Sequence, residues 1–202
     1  MIEKITMEGY ELDADVDIVD SSPMSVIVAH GGNNDMNAYL MKRIYGAMKG
    51  KNSVMRFNFS FADGKFEREE ERNKEELRAC IRRMGSKNIV IIGKSWGGQM
   101  ATKLASEKEL GIIKVISLGY AIHSKDKPDN IKPQDHLKKA RCPIEFIVGD
   151  SDPLCRISMF RKILPDCRLY VIDNANHSFL DPKTDKPNGG EDKAIATALG
   201  LI

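Results

Sequence analysis

The sequence contains no apolar run approaching the roughly 20 residues of a membrane helix, so no membrane partner is expected. Its first residues, Met1-Ile2-Glu3-Lys4-Ile5, lack a basic region followed by an apolar stretch, and no secretory signal is expected. Cysteine is sparse. Cys80, Cys142, Cys155 and Cys167 show no C-x-x-C spacing, which argues against a zinc site or redox pair and fits reduced thiols in the cytoplasm. Charge of one sign is nowhere concentrated. The 31 Lys and Arg are interspersed with 29 Asp and Glu, for a net charge of +2. That excludes a basic arm for nucleic acid and an acidic tail for a basic partner. Internal repeats, low-complexity tracts and linkers are also absent. The 202 residues therefore read as one domain with a sizeable core. Histidine is scarce as well: only His30, His123, His136 and His177.

What is present alternates regularly. Residues 2–7 and 10–19 read as two extended segments meeting near Gly9, with no helix between them, which predicts an antiparallel hairpin at a sheet edge. Val26-Ile27-Val28-Ala29 is a buried strand, followed by the flexible loop His30-Gly31-Gly32-Asn33-Asn34. Apolar residues at 36, 40, 41, 44, 45 and 48 predict a helix closed by Gly50. A strand over 54–59 follows. Residues 66–84 are densely charged, but Leu77, Ile81 and Met84 keep a helical stripe; the charges read as a solvated face with pairs such as Glu70 and Lys74. Further strands fall at 89–92, 112–118, 144–148 and 169–172, with helices around 156–163 and 192–199 and a polar loop over 119–135. Strands that are apolar throughout need cover on both faces. The fold class is thus α/β, a mostly parallel sheet flanked by helices, and no connection is long enough for a separate cap domain.

The most specific motif is Gly93-Lys94-Ser95-Trp96-Gly97. It follows the apolar run Ile89-Val90-Ile91-Ile92 and precedes Gly98, Met100, Ala101, Leu104 and Ala105, which are spaced like one helix face. In a strand–turn–helix setting, G-x-S-x-G lifts a serine onto a strained elbow with its hydroxyl at the end of a sheet. A serine hydroxyl is a weak nucleophile at neutral pH and needs a base, which needs an orienting carboxylate. After such an elbow the acid comes next in the chain, then the histidine. His136 comes too early, before the last two strands. His177, in the loop Asp173-Asn174-Ala175-Asn176-His177-Ser178-Phe179, stands in the right place. The acid belongs after strand 144–148, in Gly149-Asp150-Ser151-Asp152-Pro153. Asp152 is favoured over Asp150, which is assigned to capping the turn or the next helix. An oxyanion hole needs two N–H donors: Trp96 is one candidate, and Gly32 or Asn33 the other, with His30 ordering their loop. Trp96, Tyr120, Leu154 and Phe179 are candidates to line an acyl pocket. Tyr120 and His123 are candidate substrate contacts.

Together these residues resemble the α/β-hydrolase superfamily. The likeness is greatest to its small lidless branch grouped with dienelactone hydrolases, and within it to a subgroup typified by testis-expressed protein thirty and the hydrolase-like module of a chromatin-complex subunit. It spans about residues 24–180. It includes His30-Gly31-Gly32, Arg56-Phe57-Asn58-Phe59, Gly93-Lys94-Ser95-Trp96-Gly97-Gly98, Leu118-Gly119-Tyr120 with His123 and Pro128, Gly149-Asp150-Ser151-Asp152-Pro153, and Asn176-His177-Ser178-Phe179. The resemblance implies an α/β-hydrolase fold and aligns the acid with Asp152. Serine in place of the cysteine of dienelactone hydrolases argues against that enzyme's own substrate.

The expected activity is hydrolysis of a small acyl ester or thioester by Ser95, His177 and Asp152, with no metal and no organic cofactor. Two readings compete with it: a peptidase or amidase of the same mechanism, and a non-catalytic binding or scaffold protein that keeps the fold. The sequence shows no dedicated interface, so a monomer or a homodimer through an edge strand or the 119–135 loop is expected.

Overall fold

Strand β3 (Ser25–Ala29) and strand β5 (Ile89–Lys94) lie side by side at the centre of one sheet, and every residue of both is buried. Their apolar runs are explained by cover on both faces. Ile89 and Ile91 of β5 point into one core, and Val90 and Ile92 into the opposite one. The computed structural model describes residues 1–202. Strands β1 (Ile2–Thr6), β2 (Glu11–Asp17), β4 (Ser53–Phe57), β6 (Ile112–Leu118), β7 (Ile144–Gly149) and β8 (Arg168–Ile172) complete the sheet, in the order β1-β2-β4-β3-β5-β6-β7-β8. β1 and β2 form the expected hairpin. β2 also runs antiparallel to β4, and all other neighbours are parallel.

Helices α1 (Tyr39–Met48) and α5 (Gly190–Gly200) cover one face. Helices α2 (Glu70–Met84) and α3 (Trp96–Leu104) cover the other. Helix α4 (Ile157–Ile163) packs Phe160 against Tyr120 and Phe146 in a smaller cluster at the β7–β8 end. The chain leaves β3 towards β4 and then crosses back to β5, so the loops after β3 and β5 diverge. A crevice opens between them at the carboxyl ends of the strands, the usual ligand position in an open α/β sheet. No inserted domain covers it. The long β6–β7 connection holds only a short 3-10 turn, Asp135–Lys139.

Most element bounds lie within two residues of the sequence reading, and two departures come where side chains capture backbone groups. The helix expected from 36 begins at Tyr39 because Met36 N–H donates to Asn58 Oδ1 at 2.8 Å and Met36 C=O accepts from Arg56 at 3.0 Å. The strand expected to reach 59 ends at Phe57 because Phe59 N–H is bound by His30 Nε2 at 2.9 Å. The charged helix is α2, capped at its start by the Glu69 carboxylate and closed by Gly85. The Glu70–Lys74 pair does not form. Lys74 pairs with Glu71 at 2.7 Å, and Glu70 reaches across to Lys103 of α3 at 2.5 Å.

Candidate active site

Ser95 stands between β5 and α3 with φ 48° and ψ −106°. Left-handed backbone is strained for a residue with a side chain, and here the neighbours enforce it. Ser95 N–H donates to Leu118 C=O at 2.8 Å, and its own carbonyl accepts from Gln99 N–H at 2.9 Å. The flanking glycines allow α3 to sit hard against the sheet. A methyl at 93 would lie 2.4 Å from the Gly98 nitrogen, and one at 97 would lie 2.5 Å from the Ala29 carbonyl oxygen.

His177 arrives from the loop after β8 and meets this serine. Its Nε2 is 3.0 Å from Ser95 Oγ, and its Nδ1 is 2.8 Å from Asp152 Oδ2. The Asp152 side chain is fully buried, and its other oxygen accepts from Leu154 N–H at 2.8 Å. Asp150 points elsewhere. Its carboxylate accepts from Asn174 N–H at 3.0 Å, Ala175 N–H at 3.1 Å and the Ser151 hydroxyl at 2.9 Å. It therefore braces the loop that carries His177. Burial lowers the His177 pKa below the ordinary histidine value; the Asp152 hydrogen bond opposes this, and the charges of Lys94 and Lys132 add to the lowering. The imidazole is accordingly neutral near pH 7, as a proton acceptor must be.

Trp96, Gly32, Asn33, Ser95 and His177 line one cavity of about 400 Å³. Trp96 is the first residue of α3, where a helix leaves its N–H without an intrahelical acceptor. Gly32 and Asn33 N–H have no acceptor within the chain. These residues line the same cavity as Ser95, and their N–H groups are the candidates to stabilise an anion forming on an attacked carbonyl.

The remaining histidines are structural. His30 is fully buried. Its Nε2 accepts from Phe59 N–H and its Nδ1 lies 2.8 Å from Gly31 C=O, which fixes the neutral Nδ1–H form. Burial pushes its pKa down to about 4. His123 lines the cavity, but both ring nitrogens are engaged, Nδ1 with Ser124 C=O at 3.0 Å and Nε2 with Arg156 N–H at 3.0 Å. It braces two loops and has no nitrogen free for a substrate. His136 is turned away, against Thr102 and Tyr120.

The expected acyl pocket needs correction. Trp96 and Leu154 line the cavity; Tyr120 and Phe179 do not. Tyr120 packs against Phe146 and Phe160 with its hydroxyl 2.9 Å from Gln134 Oε1. Phe179 is buried in the core that includes α5. Both are large apolar side chains for which burial in the core outweighs exposure at a rim. Only three of the seventeen residues around the cavity are hydrophobic.

Sequence reasoning also missed how Trp96 is held. Its indole N–H donates to Asn73 Oδ1 at 2.9 Å; Asn73 donates to Glu76 at 2.9 Å, and Glu76 accepts from the Tyr10 hydroxyl at 2.9 Å. Asn73 and Glu76 are completely buried in α2. Extending the Leu77, Ile81 and Met84 stripe back by one turn would have placed both on the inward face.

The family model of the alpha/beta hydrolase domain matches residues 22–199. No curated protein sequence matches significantly. Similar solved structures include a dienelactone hydrolase from Anabaena variabilis (17% identity, 98% of this chain and 94% of that one, TM-score 0.75). An esterase from Pyrococcus furiosus is similar at 20% identity over 88% of this chain and 83% of that one, TM-score 0.71. A serine hydrolase without a lid from Xanthomonas campestris is similar at 16% identity, 100% and 94% coverage, TM-score 0.72. At such identities the structures establish the fold. With the elbow, the strand order and the family match in agreement, the chain belongs to the alpha/beta hydrolase family.

Proposed function

We propose that the protein is a serine hydrolase that cleaves a small ester or thioester through an acyl-enzyme. The observation that carries this is the continuous chain of hydrogen bonds from Ser95 Oγ through His177 to Asp152, at 3.0 and 2.8 Å. Ser95 attacks the acyl carbon while His177 Nε2 takes its proton. Asp152 holds Nδ1–H and stabilises the imidazolium. The oxyanion rests on Trp96 N–H and on Gly32 or Asn33 N–H. His177 then gives the proton to the leaving group and activates the water that frees the acyl group. The similarity to a dienelactone hydrolase and to an esterase supports ester cleavage over other hydrolysis. Burial pushes the Cys80 and Cys155 thiols up, Cys155 to about 12. These inert, unbridged thiols support a reducing compartment such as the cytoplasm.

A fluorophosphonate probe tests the reading. Wild type should be labelled at Ser95, Ser95→Ala should not be, and His177→Ala should react at least a hundredfold more slowly. Absence of labelling in the wild type would refute it.

A further inference from the structure

The cavity over Ser95 is lined by Arg68, Lys94, Lys125 and Lys132, and by no aspartate or glutamate. Other cations that are largely covered by the fold are matched: Arg56 with Asp15 at 2.9 Å, Arg78 with Glu107 at 2.7 Å and, two turns along α3 from Ser95, Lys103 with Glu70 at 2.5 Å. None of the four lining cations has such a partner.

Lys94 is the most telling of them. It occupies the second position of the elbow motif and is only 6% exposed. Its ammonium takes part in no hydrogen bond within the chain; the field of Asp152 reaches it, and the ring of Phe179 lies 5.8 Å away. Asp152 is already committed to His177 and Leu154 N–H. The ammonium and the His177 ring both border Gly119, where a methyl would lie 2.7 Å from Lys94 Nζ and 3.3 Å from His177 Cε1, and the charge of Lys94 acts on His177. Arg68 approaches from the other side. Its guanidinium fills the space beside Gly32, where a methyl would meet it at 1.8 Å, and it lies 5.2 Å from the centre of the Trp96 ring. Lys132 is close enough to Arg68 for the two charges to repel: burial and then the charges of Arg68 and Lys103 lower its pKa. Burial likewise holds Lys94 down to about 8, which leaves it charged at pH 7.

A buried cation without a partner is unfavourable, and the exposed Arg68 and Lys132 at the mouth of the same cavity add positive potential to it. An anion in that cavity would relieve both. We propose that Lys94, Arg68 and Lys132 form an anion-binding subsite beside Ser95, so that the substrate is an ester or thioester carrying a carboxylate or phosphate group. The substrate assignment rests on the serine-hydrolase reading; the subsite itself is tested separately. It also accounts for the scarcity of apolar lining, since a charged substrate needs opposite charge more than a greasy wall.

The chain's only tryptophan, Trp96, stands in the cavity beneath Arg68, so its fluorescence reports occupancy. Wild type and Ser95→Ala are titrated with succinate, with inorganic phosphate and with uncharged succinamide. A saturable change with succinate or phosphate but not succinamide is expected in both proteins. Lys94→Met should weaken it at least tenfold, Lys132→Met by a smaller factor, and Lys94→Arg should retain most of it. The tighter of the two anions identifies carboxylate or phosphate as the group recognised. Thermal melts and the Lys94→Arg variant separate loss of the subsite from loss of the fold. In the esterase assay, wild type should prefer p-nitrophenyl hemisuccinate to p-nitrophenyl butyrate, and Lys94→Met should lose at least tenfold of that preference. Labelling at Ser95 with no saturable anion binding, or equal binding by Lys94→Met, overturns the subsite. Anion binding without labelling would leave the subsite standing and overturn the hydrolase reading.

Discussion

Replacing Asp152 by asparagine changes one atom and should nearly abolish turnover. The two carboxylate oxygens have different partners: Oδ1 accepts from Leu154 N–H at 2.8 Å, and Oδ2 faces His177 Nδ1 at 2.8 Å. An asparagine must keep its carbonyl towards Leu154, because its amide group there would oppose donor to donor. The amide then faces His177 and donates to Nδ1. That drives the imidazole proton onto Nε2, where it meets Ser95 Oγ and can no longer accept a proton. Losing the charge alone would weaken the base by about one pKa unit, on the order of tenfold in rate. Locking the wrong tautomer is far worse, on the order of 10³ to 10⁴ in kcat, or about 4 to 5.5 kcal/mol of barrier. The assay is p-nitrophenyl ester hydrolysis beside fluorophosphonate labelling, with thermal melts to show that the variant folds. Asp150→Asn is the control. It removes one acceptor from a surface loop and should lower stability by about 1 kcal/mol while reducing kcat less than tenfold. An Asp152→Asn enzyme within tenfold of wild type, or an Asp150→Asn enzyme equally disabled, would refute the tautomer argument and the choice of acid.

The His177 pKa lies below its ordinary value because of burial and the nearby cations. The acid limb of the kcat/KM profile should therefore fall below pH 6.5, and Lys94→Met, which removes a neighbouring positive charge, should move that limb to higher pH. His30 is neutral and fully buried with a pKa of about 4. The unfolded chain binds a proton near 6.5 that the folded chain refuses until about 4, so stability is complete above pH 6.5 and declines by about 3 kcal/mol as pH falls to about 4. His30→Leu should be less stable at pH 7, with Phe59 N–H unpaired, yet lose less between pH 7 and pH 5 in denaturant titrations. Asn73→Ala cuts the hydrogen bond to the Trp96 indole. It should lower kcat by about tenfold with KM little changed, and a larger effect on KM would show that the network serves binding instead.

How far the sequence could be read depended on the range of the interaction. The β5 strand, the elbow and the α3 face follow from neighbours within a few residues, since an all-apolar strand needs two covered faces and G-x-S-x-G needs its sharp turn. The limits of α1 and β4 were not legible, because Asn58 and Arg56 capture Met36 across 22 and 20 residues of chain and His30 captures Phe59 N–H across 29. The charged run over 66–84 reads as a solvated face, and most of it is one. Asn73 and Glu76 are the exceptions, since their burial depends on Tyr10 and Trp96, which are remote in sequence.

The sequence by itself determined the α/β class, the edge hairpin and the residue types and order of Ser95, Asp152 and His177. Periodicity and local motifs encode these. Only the tertiary structure decided that Asp150 braces the histidine loop, that Tyr120 and Phe179 belong to the core, and that Arg68, Lys94 and Lys132 converge on one cavity without a carboxylate. Those facts are relations between distant segments. A balanced composition of 31 basic and 29 acidic residues conceals them, because net charge is summed along the chain and electrostatic pairing is settled in space.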